Sequence, residues 1–308
     1  MDFFARVQIR ASDIAPLCAQ LANASTGLIW FYELSVSVLR EAHNNERVHK
    51  MDNYTDINAS TIDSWVANGW EWGTPITPEE FARAKQGDWS VVLTPRKPVP
   101  HKWFEPHLKN GRFNGAKVLG LASGGGQQMP IFAALGADCT VLDYSEAQLN
   151  SERSVAEREG YEIDIIRADM TLRLPFEDSS FDLIFHPVSN CYIENVQHVW
   201  DECYRILKPG GLLLAGLDNG MNFLVWEDIE PLVITNSLPF NPLRDPAVMA
   251  KLMENDDGVQ FSHSLEEQIG GQLKAGLRLT DLFDDFNGEG ALCERGIVTY
   301  HATRAAKE

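Results

Sequence analysis

The chain has 308 residues, 44 acidic and 26 basic side chains, and a formal net charge of −18 with a pI near 4.8. That length buries a substantial core in one large or two modest domains, and the charge argues against a nucleic-acid binder, which needs a basic face to displace counterions. Five scattered cysteines (Cys18, Cys139, Cys191, Cys203 and Cys293) form no CxxC pair and are odd in number. They read as reduced thiols of a cytoplasmic protein, without a disulfide frame or a metal site.

At the N-terminus there is no continuous apolar run of the kind a secretory leader needs. LIWFYELSVSVL (28–39) is apolar but short and carries Glu33. A spanning helix needs about 20 apolar residues, so this run reads as a packed helix and no membrane span is expected. Residues 1–45 read as a helical extension. Residues 46–114 hold Trp65, Trp70, Trp72, Trp89 and Trp103 and the stiff segment TPRKPVP (94–100), whose prolines favour extended backbone. Together they predict an N-terminal helical extension and cap over 1–114, preceding a main domain over 115–308.

From Lys117 onward, strand, turn and helix alternate. Apolar runs at 118–121, 139–142, 163–166, 181–185 and 212–216 read as buried strands. Between them, 129–135 reads as a helix closed by Gly136. Ser145 is an N-cap, and Gln148 three residues later completes a capping-box signature. Val196, Val199, Trp200, Cys203, Ile206 and Leu207 recur at helical spacing, and KPGG (208–211) stops that helix. Residues 219–262 read as an insertion. SHSLEEQIGGQLKAG (262–276) resumes a helix with Leu265, Ile269 and Leu273 on one face and Gly276 beyond its end. Strands near 277–282 and 297–303 complete seven. The fold class is α/β: a doubly wound, mostly parallel seven-stranded sheet covered on both faces.

The chemistry gathers at the carboxyl ends of these strands. In VLGLASGGGQQ (118–128) three glycines separate a strand from a helix. Glycine lets a ligand approach the backbone, and a helix start offers free N–H groups to an anion. Gly124 and Gly126 fit the first two positions of the dinucleotide fingerprint G-x-G-x-x-G, but Met129 stands at the third, and no Lys-Ser/Thr follows as a P-loop requires. Asp143 ends the next strand, where a carboxylate can accept both hydroxyls of a ribose. In RADM (167–170), Asp169 can accept from an adenine amino group while Met170 packs on the ring. In FDLIFHPVSN (181–190), His186, Ser189 and Asn190 follow a strand end.

These ordered segments, with VLDYSEAQL and RILKPGGLLLAG, resemble the motifs of class I S-adenosylmethionine-dependent methyltransferases, in the group containing ubiquinone and menaquinone C-methyltransferases. The resemblance covers 115–305 and implies a Rossmann-like fold and S-adenosylmethionine as cofactor. It assigns Ala122, Ser123, Gly124, Gly126 and Gln128 to the methionine end, Asp143 to the ribose, Tyr144 to the adenosine, and Asp169 and Met170 to the adenine. His186 and Ser189 would border the transferring methyl. Two positions depart from the pattern: Gly120 stands where the family carries an acid, and Ala122 replaces a glycine.

Methyl transfer from a sulfonium asks the protein to position the acceptor and exclude water. Trp72 and Trp89 are the cap tryptophans expected to face the sulfonium by cation–π contact, and Tyr54 is expected to reach the cofactor carboxylate. His186 is the leading candidate for a general base, with His263 second. The amino-methyltransferase signature Asp/Asn-Pro-Pro-Tyr is absent, and the acceptor expected by default is a small molecule entering between cap, insertion and sheet edge. Two alternatives stand beside this reading: a nicotinamide-dependent oxidoreductase and a non-catalytic S-adenosylmethionine-binding protein.

Overall fold

The computed structural model describes residues 53–226 and 232–308. The extension expected over 1–45, with its helix at 28–39, lies outside the described residues, as do positions 227–231 of the insertion. Residues 54–308 form one compact unit, so the portion of the cap from Tyr54 onward packs into the same body as the sheet.

Seven strands build that sheet: β1 (Lys117–Leu121), β2 (Asp138–Asp143), β3 (Asp164–Arg167), β4 (Phe181–His186), β5 (Leu207–Asp218), β6 (Arg278–Asp285) and β7 (Tyr300–Ala306). Their order is β3-β2-β1-β4-β5-β7-β6. Strands β1 to β5 pair in parallel, and β7 inserts antiparallel between β5 and β6. The chain reverses its direction of travel across the sheet between β1 and β4, which opens a crevice at the carboxyl edge there.

Period-two alternation fills both faces. Val118, Leu183, Phe185, Leu212 and Leu214 point into one core with Trp103, Phe104, Phe132 and Phe81. Leu119, Leu121, Ile184, Leu213 and Ala215 point into the other with Val196, Val199, Trp200 and Cys203. Helix α1 (Tyr54–Ala67) packs against α4 (Glu146–Glu159), which together with α2 (Pro78–Lys85), α3 (Gln128–Ala134) and α5 (Val196–Ile206) covers these faces. The insertion and C-terminal part contribute the shorter α6 (Met221–Leu224), α7 (Pro246–Asn255), α8 (Gly271–Lys274) and α9 (Gly290–Glu294).

Three local expectations are corrected. KPGG stops α5 as expected, but β5 begins at Leu207 rather than 212. Leu207 pairs with Phe181 and Leu212 with Leu183, so 208–211 bulge out within the strand, with Gly210 at φ 77°. Ser145 does cap α4, accepting the Gln148 N–H at 3.1 Å. The reciprocal bond of a capping box is absent, because the Ser145 N–H donates to Asp143 Oδ1 and the Gln148 side chain donates to the Trp72 carbonyl. Finally, Leu265 and Leu273 are 59% and 53% exposed. A π-turn over Glu266–Gly270 shifts the helical register, so Gln268, Gly271 and Gln272 face inward instead. Gly271 is required there, since a Cβ would lie 2.6 Å from Trp200 Cδ1.

The proline segment crosses the strand ends. The Leu93 carbonyl accepts the Val188 N–H at 3.1 Å and passes so close to β5 that a Cβ on Gly216 would sit 2.0 Å from it. Asp285, at the end of β6, clamps this segment by accepting from Thr94 Oγ1 and from the N–H groups of Arg96 and Lys97.

Candidate active site

One cavity of about 560 Å³ runs along the carboxyl edge of the sheet. Its base is made by the residues just past β1 (Ala122, Ser123, Gly124), the tip of β2 (Asp143), the segment after β3 (Asp169, Met170), the segment after β4 (Val188, Ser189), Asp218 at the tip of β5, and Tyr300 at the start of β7. Helix α1 covers it with Thr55, Asn58, Ala59 and Ile62; Trp70 and Trp72 and the crossing segment Leu93–Pro95 add a second wall. The insertion supplies a third, through Phe223, Val225, Trp226 and Phe240. Asn58 ties two of these walls together: its side chain donates to the carbonyls of Tyr192 and Val259 and accepts the Val259 N–H.

Asp143 is half-buried and held by backbone donors. Its Oδ2 accepts the Gly124 N–H and its Oδ1 the Ser145 N–H, each at 3.0 Å. Burial raises its pKa above the ordinary carboxylate value against the pull of those N–H groups. Each oxygen keeps a lone pair for a donor arriving in the cavity. Asp169 accepts from Thr55 Oγ1 at 2.7 Å and from the Thr171 N–H at 2.8 Å, with the buried Met170 beside it. The Tyr144 hydroxyl donates to Asp56 of α1 at 2.6 Å. Ser123 donates to Gln128 at 3.2 Å.

The glycine loop works differently from the sequence expectation. All three of its N–H groups are consumed inside the protein: Gly124 by Asp143, Gly125 by the Gln148 carbonyl, and Gly126 by the buried Glu152 carboxyl. No free N–H of these glycines faces an anion. They are bare because neighbours approach them. A Cβ on Gly125 (φ 98°) would meet the Trp72 carbonyl at 2.5 Å, and one on Gly124 would meet Gln148 Cβ at 2.6 Å. Ala122 adopts φ 47°, the left-handed conformation that suits the glycine it replaces. At Gly120, where the family pattern carries an acid, a Cβ would lie 2.9 Å from Met129 Sδ. Met129 fills that space, and an acid there would have to displace its side chain.

Ten of the residues expected from sequence line the cavity: Ala122, Ser123, Gly124, Gln128, Asp143, Tyr144, Asp169, Met170, Ser189 and Trp72. Four do not. Gly126 lies behind the loop against Glu152, Ser151 and Val155. Trp89 stacks on His101 at 4.0 Å and belongs to the core. Tyr54 packs on Phe261, and its hydroxyl accepts the Glu194 N–H. His186 is 0% exposed.

His186 is a packed strand-end residue and is not placed to act as a base. Its Nδ1 lies 2.8 Å from the Leu121 carbonyl and its Nε2 2.9 Å from Asn190 Oδ1. Burial holds its pKa below the ordinary value, and Asn190 is itself fixed by donating its Nδ2–H to Gln268 at 3.1 Å. His263 is likewise occupied, with Nε2 3.0 Å from the carbonyls of Asn190 and Ile193. Sequence reasoning also missed residues that do line the cavity, notably Trp70, Asp218, Asn222 and Tyr300. For Asp218 a signal exists: LLLAGLDNG ends an apolar run in an acid, as VLDYS does at Asp143.

An adenosyl sulfonium fits these walls on their own chemistry. Two acceptor-only carboxylates at neighbouring strand tips, Asp143 and Asp169, suit a diol and an exocyclic amine, and the apolar Ala59, Ile62 and Met170 suit a purine. Among the described residues no cluster of His, Cys, Asp and Glu could hold a metal ion, and no helix is long and apolar enough to cross a membrane.

Comparison with known proteins bears on the family and the fold. Residues 119–215 match the family model described as a methyltransferase domain. A Bacillus subtilis protein named as the uncharacterized methyltransferase YbaJ is 42% identical over 255 residues, covering 81% of this chain and 97% of that protein. The demethylmenaquinone methyltransferase of Paenarthrobacter aurescens is 29% identical over 147 residues, 48% of this chain and 53% of that protein. Among solved structures, an S-adenosylmethionine-dependent methyltransferase from Mesorhizobium loti shares the fold at a TM-score of 0.50 and 19% identity, over 67% of this chain and 95% of that one.

Proposed function

The chain belongs to the class I S-adenosylmethionine-dependent methyltransferases, and we propose that its acceptor is a small organic molecule taken into the strand-tip cavity. That membership sets aside the oxidoreductase alternative. The observation that carries the acceptor reading is the cavity itself. At about 560 Å³ it lies within the roughly 300–1,000 Å³ of small-molecule sites. It is walled on three sides by α1, the crossing segment and the insertion.

In this reading Asp143 holds the ribose, Asp169 and Met170 the adenine, with Tyr144 beside them. Ala122, Ser123, Gly124 and Gln128 hold the methionine end. Ser189 borders the methyl, and Trp72 offers a π face toward the positive sulfur, worth about 0.5–2 kcal/mol. S-adenosylmethionine supplies an electrophilic methyl on a cationic sulfur that leaves as a neutral thioether. The protein's own contribution is alignment of acceptor and methyl, up to about 7–11 kcal/mol in well-oriented systems, together with exclusion of water by the three walls. Acidic surface charge disfavours a nucleic-acid acceptor.

The test is to incubate the protein with methyl-labelled S-adenosylmethionine and a cell extract, then separate products by size. Label is expected in a new low-mass product that is resolved from S-adenosylmethionine and absent without the protein. Label confined to protein or nucleic acid would contradict the reading.

A further inference from the structure

The cavity continues past the region that Asp143 and Asp169 serve, and its far end has a distinct chemistry. Asp218 and Tyr300 are register partners on β5 and β7, three strands along the sheet from Asp143 in the order β2-β1-β4-β5. At about 4.8 Å per strand this places the two carboxylates on the order of 14 Å apart. Asp218 is 6% exposed and lines the cavity together with Asn222, Phe223, Trp226, Phe240 and Tyr300.

The carboxylate is pre-oriented. Its Oδ1 accepts the Gly220 N–H and its Oδ2 the Asn222 side chain, each at 2.6 Å. Asn222 is itself fixed by Asn287, which donates to it at 2.8 Å. Each carboxylate oxygen retains a lone pair. Burial raises the pKa of Asp218 to about 6, which leaves it ionised at neutral pH but more basic than an ordinary carboxylate. The titratable groups that face it are the Cys191 thiol, on the loop after β4, and the Tyr300 phenol, both pushed upward and both uncharged at neutral pH.

The surrounding walls are flat and aromatic. Phe223 and Phe240 stack at 5.4 Å, and Trp226 meets Phe240 edge-on. The Lys251 ammonium sits 3.7 Å over the Trp226 ring. It occupies that π face and adds positive charge to this wall, so a cationic acceptor is disfavoured over a neutral one.

We propose that the β5–β7 end of the cavity is the acceptor subsite, that it takes an aromatic alcohol, and that Asp218 receives the phenolic proton as the oxygen is methylated. This rests on the reading of the cavity as the site of small-molecule methyl transfer. The donor is consumed in each turnover and is a substrate. The phenolic O–H bond breaks and its proton passes to an Asp218 oxygen. An oxygen lone pair forms the new O–C bond, and the electron pair of the C–S bond returns to sulfur, leaving a neutral thioether and an aryl methyl ether. Asp218 then gives the proton to water. Because the carboxylate touches the reacting group, its role is catalytic; Asn222 and Asn287 position it.

The test is calorimetry on the full chain saturated with S-adenosylhomocysteine, using β-naphthol and its methyl ether as probes near neutral pH. The naphthol is expected to bind at least about tenfold more tightly than the ether, the worth of one hydrogen bond to a charged acceptor. In Asp218→Asn, which keeps only a neutral acceptor, that preference is expected to shrink several-fold, with S-adenosylhomocysteine affinity unchanged. Equal binding of the two probes to the wild-type protein, or no binding of either, would overturn the proposal whatever the variant does. A tenfold loss of S-adenosylhomocysteine affinity in Asp218→Asn would overturn it too, by assigning the carboxylate to the ammonium of the donor. Failure of the wild-type protein to bind S-adenosylhomocysteine at all would instead remove the underlying reading of the cavity.

Discussion

Asp143 Oδ2 accepts the Gly124 N–H at 3.0 Å, so the tip of β2 and the loop after β1 are locked together at the floor of the cavity. The same carboxylate orders the start of α4 through the Ser145 N–H. Asp143→Ala is expected to weaken S-adenosylhomocysteine binding by about 3 kcal/mol, on the order of a hundredfold, from the loss of two charge-assisted bonds. Ser145 still caps α4 in this variant, so the fold should persist. Calorimetry measures the affinity and circular dichroism the fold; an unchanged affinity would remove the ribose assignment.

Gly125 tests whether the glycine run serves packing. Its φ of 98° and the Trp72 carbonyl 2.5 Å from a hypothetical Cβ both oppose a side chain. Gly125→Ala is expected to cost about 2–4 kcal/mol in urea denaturation. Gly160, with φ 69° and nothing within 4 Å of its Cβ position, provides the comparison. Gly160→Ala should cost only about 1 kcal/mol, the conformational penalty alone.

Glu152 makes stability depend on pH. Burial raises its pKa from 4.5 to about 8, opposed by the Gly126 N–H. A raised folded-state pKa means the protonated form is favoured on folding. Its contribution is full below about pH 4.5 and is lost as pH rises through about 8. Glu152→Gln retains an acceptor for Gly126 and cannot ionise. Its melting temperature should match that of the parent near pH 4.5 and increasingly exceed it as pH rises toward 8. Equal melting temperatures across that range would refute the burial argument.

His186 acts in the opposite sense. Its pKa is lowered by burial, so its contribution is present above the ordinary histidine value of 6.5 and is lost as pH falls through the lowered folded value. His186→Gln is expected to cost about 1–3 kcal/mol at neutral pH through the broken bond to Leu121, and to flatten the acid side of the stability profile. S-adenosylhomocysteine affinity should change little, because the ring does not line the cavity. A large affinity loss without destabilisation would restore His186 to the site.

Much of this was legible in the chain. Strands β1, β2 and β4 announce themselves as apolar runs ending in turn residues, and β2 ends in Asp143 because an acid closes its run. Ser145 was readable as a cap for the same local reason. The errors came from tertiary context. A π-turn at 266–270 turns Leu265 and Leu273 outward while Ile269 still packs against the core, and nothing in the spacing of the three reveals it. Trp89 and Trp70 have equal claims by composition, yet one stacks on His101 in the core and the other lines the cavity. Gly125 and Gly126 read as ligand contacts, whereas the Trp72 carbonyl and α4 take that space. Asp218 escapes the sequence reading because Gly216 closes the apolar run at 216, two residues short of the true end of β5.

The most direct test of the account is a crystal structure of the protein with S-adenosylhomocysteine. The ribose hydroxyls are expected about 3 Å from the Asp143 carboxylate, with the purine between Asp169, Met170 and α1. An adenosine bound away from Asp143, or a strand-tip cavity left empty in the presence of saturating compound, would contradict it.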